Sequence, residues 1–257
     1  MAHEFKRDNF TETKPHTHQQ EFHSSELPSA LQPLMGQSRF VCWRWEWREK
    51  EGKPGEGKWT KPPIQCGTGW PAYASTDDPS TWGTYEAAVA RVRNGQADGI
   101  GYCLQGADIG AADLDDCHDW DTKAIVPWAQ AIIDRAPKGT YCEITVSGSG
   151  LRLIGKAIGK YLIRKYSAAD GDGSFELYRN APRYITISGL AIRGADGKLP
   201  DIDALLDMLH VEGGGKPHPT ATAQGRQASV HRTAAPWQMG ARWNDGRTVR
   251  ADCQWRR

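Results

Sequence analysis

The chain has 257 residues, 39% hydrophobic and 25% charged, with a formal net charge of +1 and a mean hydropathy of −0.64. This is long enough for one large domain or two small ones with a real core. No run of about 18 apolar residues excludes a helical membrane span, and the polar N-terminus lacks the apolar centre of a secretory signal, so the expected location is cytoplasmic with no membrane partner.

Residues 1–26 show no apolar period and are expected to be disordered, with His16 and His18 in a solvated tail. A short helix is predicted over Leu27–Met35. From Arg39 to Glu49 the residues alternate as a strand, with Val41, Trp43, Trp45 and Trp47 on one face. A Gly-, Lys- and Glu-rich loop leads to a second strand, Trp59–Gln65. Ser75 to Trp82 carries helix-start chemistry ahead of Pro79, and Tyr85, Ala88, Val89 and Val92 form one helical stripe that ends at Asn94-Gly95. Strands follow at 99–104 and 109–115, then a helix at 126–136. A strand cluster comes next at 141–147, 151–156, 161–167, 174–179 and 184–188, and a closing helix covers 199–210.

Beyond Glu212 the composition turns to Gly, Pro, Thr and Ala, the mark of a linker. Lys216, Arg226, Arg232, Arg242, Arg247, Arg250, Arg256 and Arg257 outnumber Glu212, Asp245 and Asp252 there. Residues 211–257 therefore read as a flexible basic tail, able to lie along a polyanion or to lead to a further domain. The six cysteines show neither a CxxC nor a regular spacing, which favours buried thiols over a disulfide framework or a zinc module.

Three segments carry chemistry. Asp113 and Asp115 stand two apart on a predicted strand, hence on one face and about 7 Å apart from a rise of roughly 3.3 Å per residue. Carboxylates held so close repel unless a cation joins them or one is protonated, and hard divalent ions take such oxygen ligands. An acidic turn at a strand end would use the same residues. Asp116 points to the other face. The turn Ser147, Gly148, Ser149 and Gly150 can aim backbone amides at an anion, or simply close a hairpin. Glu176 lies on a strand opposite Phe175 and Leu177, free either to be solvated or to join the aspartates, and Arg179 and Arg183 bracket a short turn where they could hold phosphates. Arg44, Arg48, Lys53 and Lys58 surround the tryptophan-rich strand as candidates for template phosphates, with the tryptophans themselves read as core.

In order and spacing these segments resemble the archaeo-eukaryotic primase superfamily, in the branch of primase-polymerases carried by phages, plasmids and other mobile elements. Ala112-Asp113-Leu114-Asp115 matches its strand-borne Asp-x-Asp, Phe175-Glu176-Leu177-Tyr178 its strand acid, and Gly150-Leu151-Arg152 stands at its small-x-His position. Trp43-Arg44-Trp45 with Lys61-Pro62-Pro63-Ile64, Ser75 to Trp82, and Gly99-Ile100-Gly101-Tyr102 also look like this branch, so the resemblance spans roughly residues 38–210. It implies an α/β (α+β) primase-polymerase domain at 27–210, with a small N-terminal module at 27–108 and a catalytic module related to the RNA-recognition motif at 109–210.

By the same resemblance Asp113, Asp115 and Glu176 would bind Mg²⁺ or Mn²⁺ for two-metal nucleotidyl transfer. Ser147 to Gly150 with Arg152, and more weakly Arg183 and Lys61, would grip the triphosphate. Arg152 in place of the family's His keeps a phosphate contact but cannot titrate near neutral pH. The implied partners are a single-stranded DNA template, dNTPs or NTPs, and a replicative helicase domain or subunit. Alanine at both Asp113 and Asp115 is expected to abolish nucleotide incorporation and leave the fold intact. A non-catalytic single-stranded DNA or origin-binding module and a metal-dependent nuclease are the alternative readings.

Overall fold

A computed structural model describes residues 13–21, 27–67, 72–168 and 171–217. After a one-turn helix α1 (Gln32–Met35), strand β1 (Phe40–Trp43) is buried along its whole length. The strand expected over residues 39–49 is broken here. Trp45 N donates to Asp98 Oδ2 (2.7 Å) and the Trp45 indole to Thr17 Oγ1 (3.0 Å), so the chain leaves the sheet. It resumes as β2 (Glu46–Lys50), which pairs with β3 (Lys53–Thr60) in a separate hairpin with Trp47 opposite Trp59. Trp43 and Trp45 are buried in the core as expected, but Trp47, read with them, is only half-buried and packs on Trp59 of the hairpin.

Strand β4 (Pro63–Ile64) returns to β1. Helix α2 (Tyr85–Arg93) is capped by Thr84, whose side chain accepts from Ala87 N. Strand β5 (Gly99–Cys103) then pairs antiparallel with β1, placing Gly99 opposite Trp43. Any Cβ at residue 99 would come within 2.5 Å of that indole, so only glycine lets the strands close.

The second sheet is built from β6 (Ile109–Asp115), β7 (Tyr141–Ile144), β8 (Leu151–Lys156), β9 (Leu162–Ser167) and β10 (Ser174–Arg179), with α3 (Pro127–Arg135) between β6 and β7. Strand β11 (Tyr184–Ile187) leaves it to join the first sheet, and β12 (Ala191–Arg193) and α4 (Asp203–Glu212) complete the fold. The resulting orders are β11-β5-β1-β4 and β12-β7-β8-β6-β10-β9. Strand β11, far beyond residue 108 in sequence, thus lies beside β5 in the first sheet.

Alternation along the second sheet divides its side chains between two cores. Ala112, Leu114, Leu151, Leu153, Phe175 and Leu177 pack with Ile132 and Ile133 of α3 and Leu205, Leu206 and Leu209 of α4. On the other face Ala111, Tyr141, Ile154 and Tyr178 share a cluster with Phe40, Ile100, Tyr102, Ile185 and Ile187 of the first sheet. The molecule is thus a mixed α/β fold, with two sheets in contact, α3 and α4 on the outer face of the second and α2 packed on the first. That is consistent with a primase-polymerase fold.

Residues 13–21, assigned by composition to a disordered terminus, run extended across this assembly. His18 N donates to Val146 O and Gln20 N to Ser188 O, each at 2.9 Å, tying the strap to segments that follow β7 and β11. Cys42, Cys66, Cys103, Cys117 and Cys142 are free and buried; Cys253, with most of the basic tail, lies outside the described residues. Among the described residues no helix is long and apolar enough to cross a membrane.

Candidate catalytic carboxylate site

Strand register assembles the site. Directly opposed residues of antiparallel neighbours share a face and sit about 5 Å apart at Cβ. Glu143 of β7 is opposite Arg152 of β8, Arg152 opposite Asp113 of β6, Asp113 opposite Glu176 of β10, and Glu176 opposite Lys165 of β9. Five charged side chains thereby form one row across the sheet. The neighbouring row on that face, Tyr141, Ile154, Ala111 and Tyr178, belongs to the core shared with the first sheet. Asp115 lies one step beyond the charged row, opposite Ser174. The acids therefore sit where the apolar contact between the sheets gives way. Asp116 falls outside the strand, exposed and at φ +55°, where the chain turns away.

Arg152 does not have the free guanidinium expected of a phosphate clamp. Nη2 donates to Asp113 Oδ2 (2.8 Å), and Nη1 donates to Thr186 O and to Thr186 Oγ1 (2.9 Å). Glu143 Oε1 lies 3.7 Å from Nη1. Glu143 is itself fully buried and accepts from Ser188 N (3.2 Å), Gly189 N (3.0 Å) and the Tyr141 hydroxyl (3.0 Å). Arg152 is thus a buried bridge between the two sheets that fixes one oxygen of Asp113. Asp113 Oδ1 is buried with no hydrogen-bond partner among the described residues, a hard oxygen donor of the kind a divalent cation would satisfy.

The electrostatics fit a crowded acidic centre. Burial and the charge of Asp113 push the Asp115 carboxyl above its ordinary range, despite Lys165 beside it. Burial also acts to raise Glu176, but hydrogen bonds from Lys165 and Tyr178 outweigh it and hold this carboxyl low. Lys165 Nζ reaches Glu176 Oε1 at 2.8 Å and Asp115 Oδ2 at 3.1 Å. Lys61 enters from the link between β3 and β4, its ammonium 4.3 Å from the centre of the Trp45 ring. Burial and the nearby Arg152 lower its pKa to about 8, against the opposing pull of Asp113 and Asp115. Among the described residues no three His, Cys, Asp or Glu side chains are already drawn into a metal cage.

The Ser147–Gly150 turn is tightly built. Gly148 N donates to Thr145 O (2.8 Å), so that amide is committed within the turn. Cys117 N and His118 N both donate to Ser149 O, and the His118 ring contacts Gly148 O through Nδ1 at 2.6 Å. The hydroxyls of Ser147 and Ser149, 3.2 Å apart, are on exposed residues. The strap's His18 lies against Gly148 and against the Trp120 ring, with centroids 4.0 Å apart. Arg183 is exposed, and its charge helps hold Glu176 low. Arg48, Lys53 and Lys58 are exposed on the β2–β3 hairpin, and Arg44 stands at the strand break. Arg179 is buried against Asp203 and Asp207 of α4.

Sequence patterns had not marked Lys165, Glu143, Thr186 or His118. Only cross-strand register brings the first two into the row.

No protein-family model matches the chain. Over 174 residues it is 30% identical to the DNA primase-polymerase of Nitratiruptor phage NrS-1, a match that covers 66% of this chain and 22% of that protein. The chain spans about a fifth of the length of the relative it matches. Across most of its length, then, the chain is related to a phage primase-polymerase.

Proposed function

We propose that this chain is a nucleotidyltransferase core that makes or extends primers on single-stranded DNA, using dNTPs or NTPs, in replication of a phage or other mobile element. The observation that carries this reading is the convergence of Asp113, Asp115 and Glu176 on one face of the sheet at the edge of its contact with the first sheet. These three residues would hold Mg²⁺ or Mn²⁺, which supplies activation of a primer 3′-hydroxyl and charge neutralisation of the triphosphate. The buried Asp113 Oδ1 and the mutual crowding of the acids fit such ions.

The remaining work falls to the chain's own groups. Arg152 holds Asp113 in place through a buried bridge. Lys61, Arg183 and the hydroxyls of Ser147 and Ser149 offer the triphosphate a positive and hydrogen-bonding surface. Arg44, Arg48, Lys53 and Lys58 offer template phosphates an exposed basic hairpin. Primer extension with labelled dNTPs and Mn²⁺ tests the proposal. Extension that is lost in Asp115→Ala supports it. Cleavage of the DNA, or retention of DNA with no incorporation, would replace it with a nuclease or a binding module respectively.

A further inference from the structure

Lys165 belongs to none of the sequence motifs, yet it closes the charged row. It sits on β9, the outermost strand of its sheet, directly opposite Glu176. Its ammonium contacts Glu176 Oε1 (2.8 Å) and also Asp115 Oδ2 (3.1 Å), so it joins two carboxylates carried by different strands. The opposite end of the row is treated differently. There Arg152 is buried, committed to Thr186 of the first sheet, and holds Asp113 Oδ2. Asp113 Oδ1 has no hydrogen-bond partner among the described residues.

Resting on the reading of these acids as a metal centre, we infer that Lys165 is its resident counter-cation. It holds Asp115 and Glu176 together in the metal-free protein and leaves them when a divalent cation binds. Two carboxylates brought this close need a compensating positive charge. The ammonium supplies it from between two of the residues that would hold a divalent cation. A divalent ion held by the same two carboxylates would meet the ammonium as a like charge at close range, and that repulsion favours the ammonium's departure. Lys165 can leave at little cost. Its side chain is 57% exposed, on a flexible four-carbon stem, whereas that of Arg152 is 7% exposed and cannot swing out. Once released it stays tethered beside the centre, where its charge faces the phosphates of any nucleotide bound there. Metal entry then becomes an exchange of cations, and the chain never carries the full repulsion of its acids.

The test uses the full chain with Mn²⁺ alone, without nucleotide or DNA. Calorimetric titration should show Lys165→Met binding Mn²⁺ about tenfold more tightly than the unaltered protein, since a competing cation has been removed. In the unaltered protein, acylation of Lys165 by a succinimidyl ester, read by peptide mass spectrometry, should rise severalfold at saturating Mn²⁺. Equal or weaker Mn²⁺ binding by Lys165→Met overturns the inference, as does acylation unmoved by the metal, while leaving the carboxylate centre standing. If neither protein binds Mn²⁺, the metal-centre reading falls and takes the inference with it.

Discussion

Arg152 Nη2 lies 2.8 Å from Asp113 Oδ2, and the same guanidinium reaches Thr186 on a strand of the other sheet. One buried cation therefore positions a proposed catalytic acid and ties the two sheets. Truncating one partner of such a pair leaves the other charge buried and uncompensated, a cost of about 3–5 kcal/mol. Arg152→Ala should lose stability on this scale in urea unfolding. Arg152→Lys keeps the charge but cannot make both contacts, and should lose roughly 1–3 kcal/mol. Stabilities within about half a kcal/mol of the unaltered protein would show that the bridge is not structural.

The two aspartates should separate. Asp113→Ala strands Arg152 and should cost about 3 kcal/mol, and Asp113→Asn, which keeps an acceptor, should cost less. Asp115 is in a half-exposed, crowded position, its carboxyl held high by burial and by Asp113, so Asp115→Ala should be near neutral for stability. Primer extension should be lost in all three. Asp115→Ala or Asp113→Asn is therefore the cleaner probe of the chemistry.

The strands that carry the acids were legible because alternation is a local property. The ranges 109–115, 151–156 and 174–179 read from the residues coincide with β6, β8 and β10. What escaped depends on distant partners. Trp45 leaves its strand for Asp98 and Thr17, bonds that no period within residues 39–49 encodes. Arg152 looked like a phosphate ligand because its partner Thr186 is 34 residues away. β12 has only three residues and exists through its pairing with β7. Lys165 becomes part of the site only once its register with Glu176 is known. For residues 13–21, polar composition concealed main-chain bonds made to Val146 and Ser188.

Gly148 gives a sharp test of the turn. Its φ is +80°, and an added Cβ would approach the His18 ring at 2.6 Å. Gly148→Ala should therefore cost about 1–3 kcal/mol from backbone strain alone and weaken protection of the strap. Hydrogen exchange at His18 N, which donates to Val146 O, reads the second effect. Unchanged stability and unchanged exchange would refute the close packing of strap and turn.

Removing residues 1–21 deletes the His18–Val146 and Gln20–Ser188 bonds, the Thr17 acceptor of the Trp45 indole, the bond from Gln19 Nε2 to Asp98 O and the exposed Lys14–Asp98 ion pair. At about 1 kcal/mol for each of the four hydrogen bonds, and little from the exposed pair, the loss should be roughly 4 kcal/mol. Tryptophan emission should shift to the red as Trp45, buried in the intact fold, meets water. A truncated chain with the original melting temperature and emission would mean that the strap is ornamental.

Lys61 should give the site a pH dependence near 8. Burial lowers its ammonium from the usual 10.5 to about 8, so the folded protein releases this proton before the unfolded chain does. Between pH 8 and 10.5 the unfolded state binds more protons at this residue, and its contribution to stability rises with pH. Lys61→Met should accordingly be more stable than the unaltered protein at pH 7, with the advantage shrinking as pH climbs through that window. Phosphate binding should run the other way. The charge that attracts a triphosphate is present below pH 8 and fades above it, so affinity for a nonhydrolysable nucleotide should fall severalfold from pH 7 to 9. Lys61→Arg keeps its charge throughout and should flatten that decline. Equal pH profiles for the unaltered protein and Lys61→Arg would remove Lys61 from the nucleotide site.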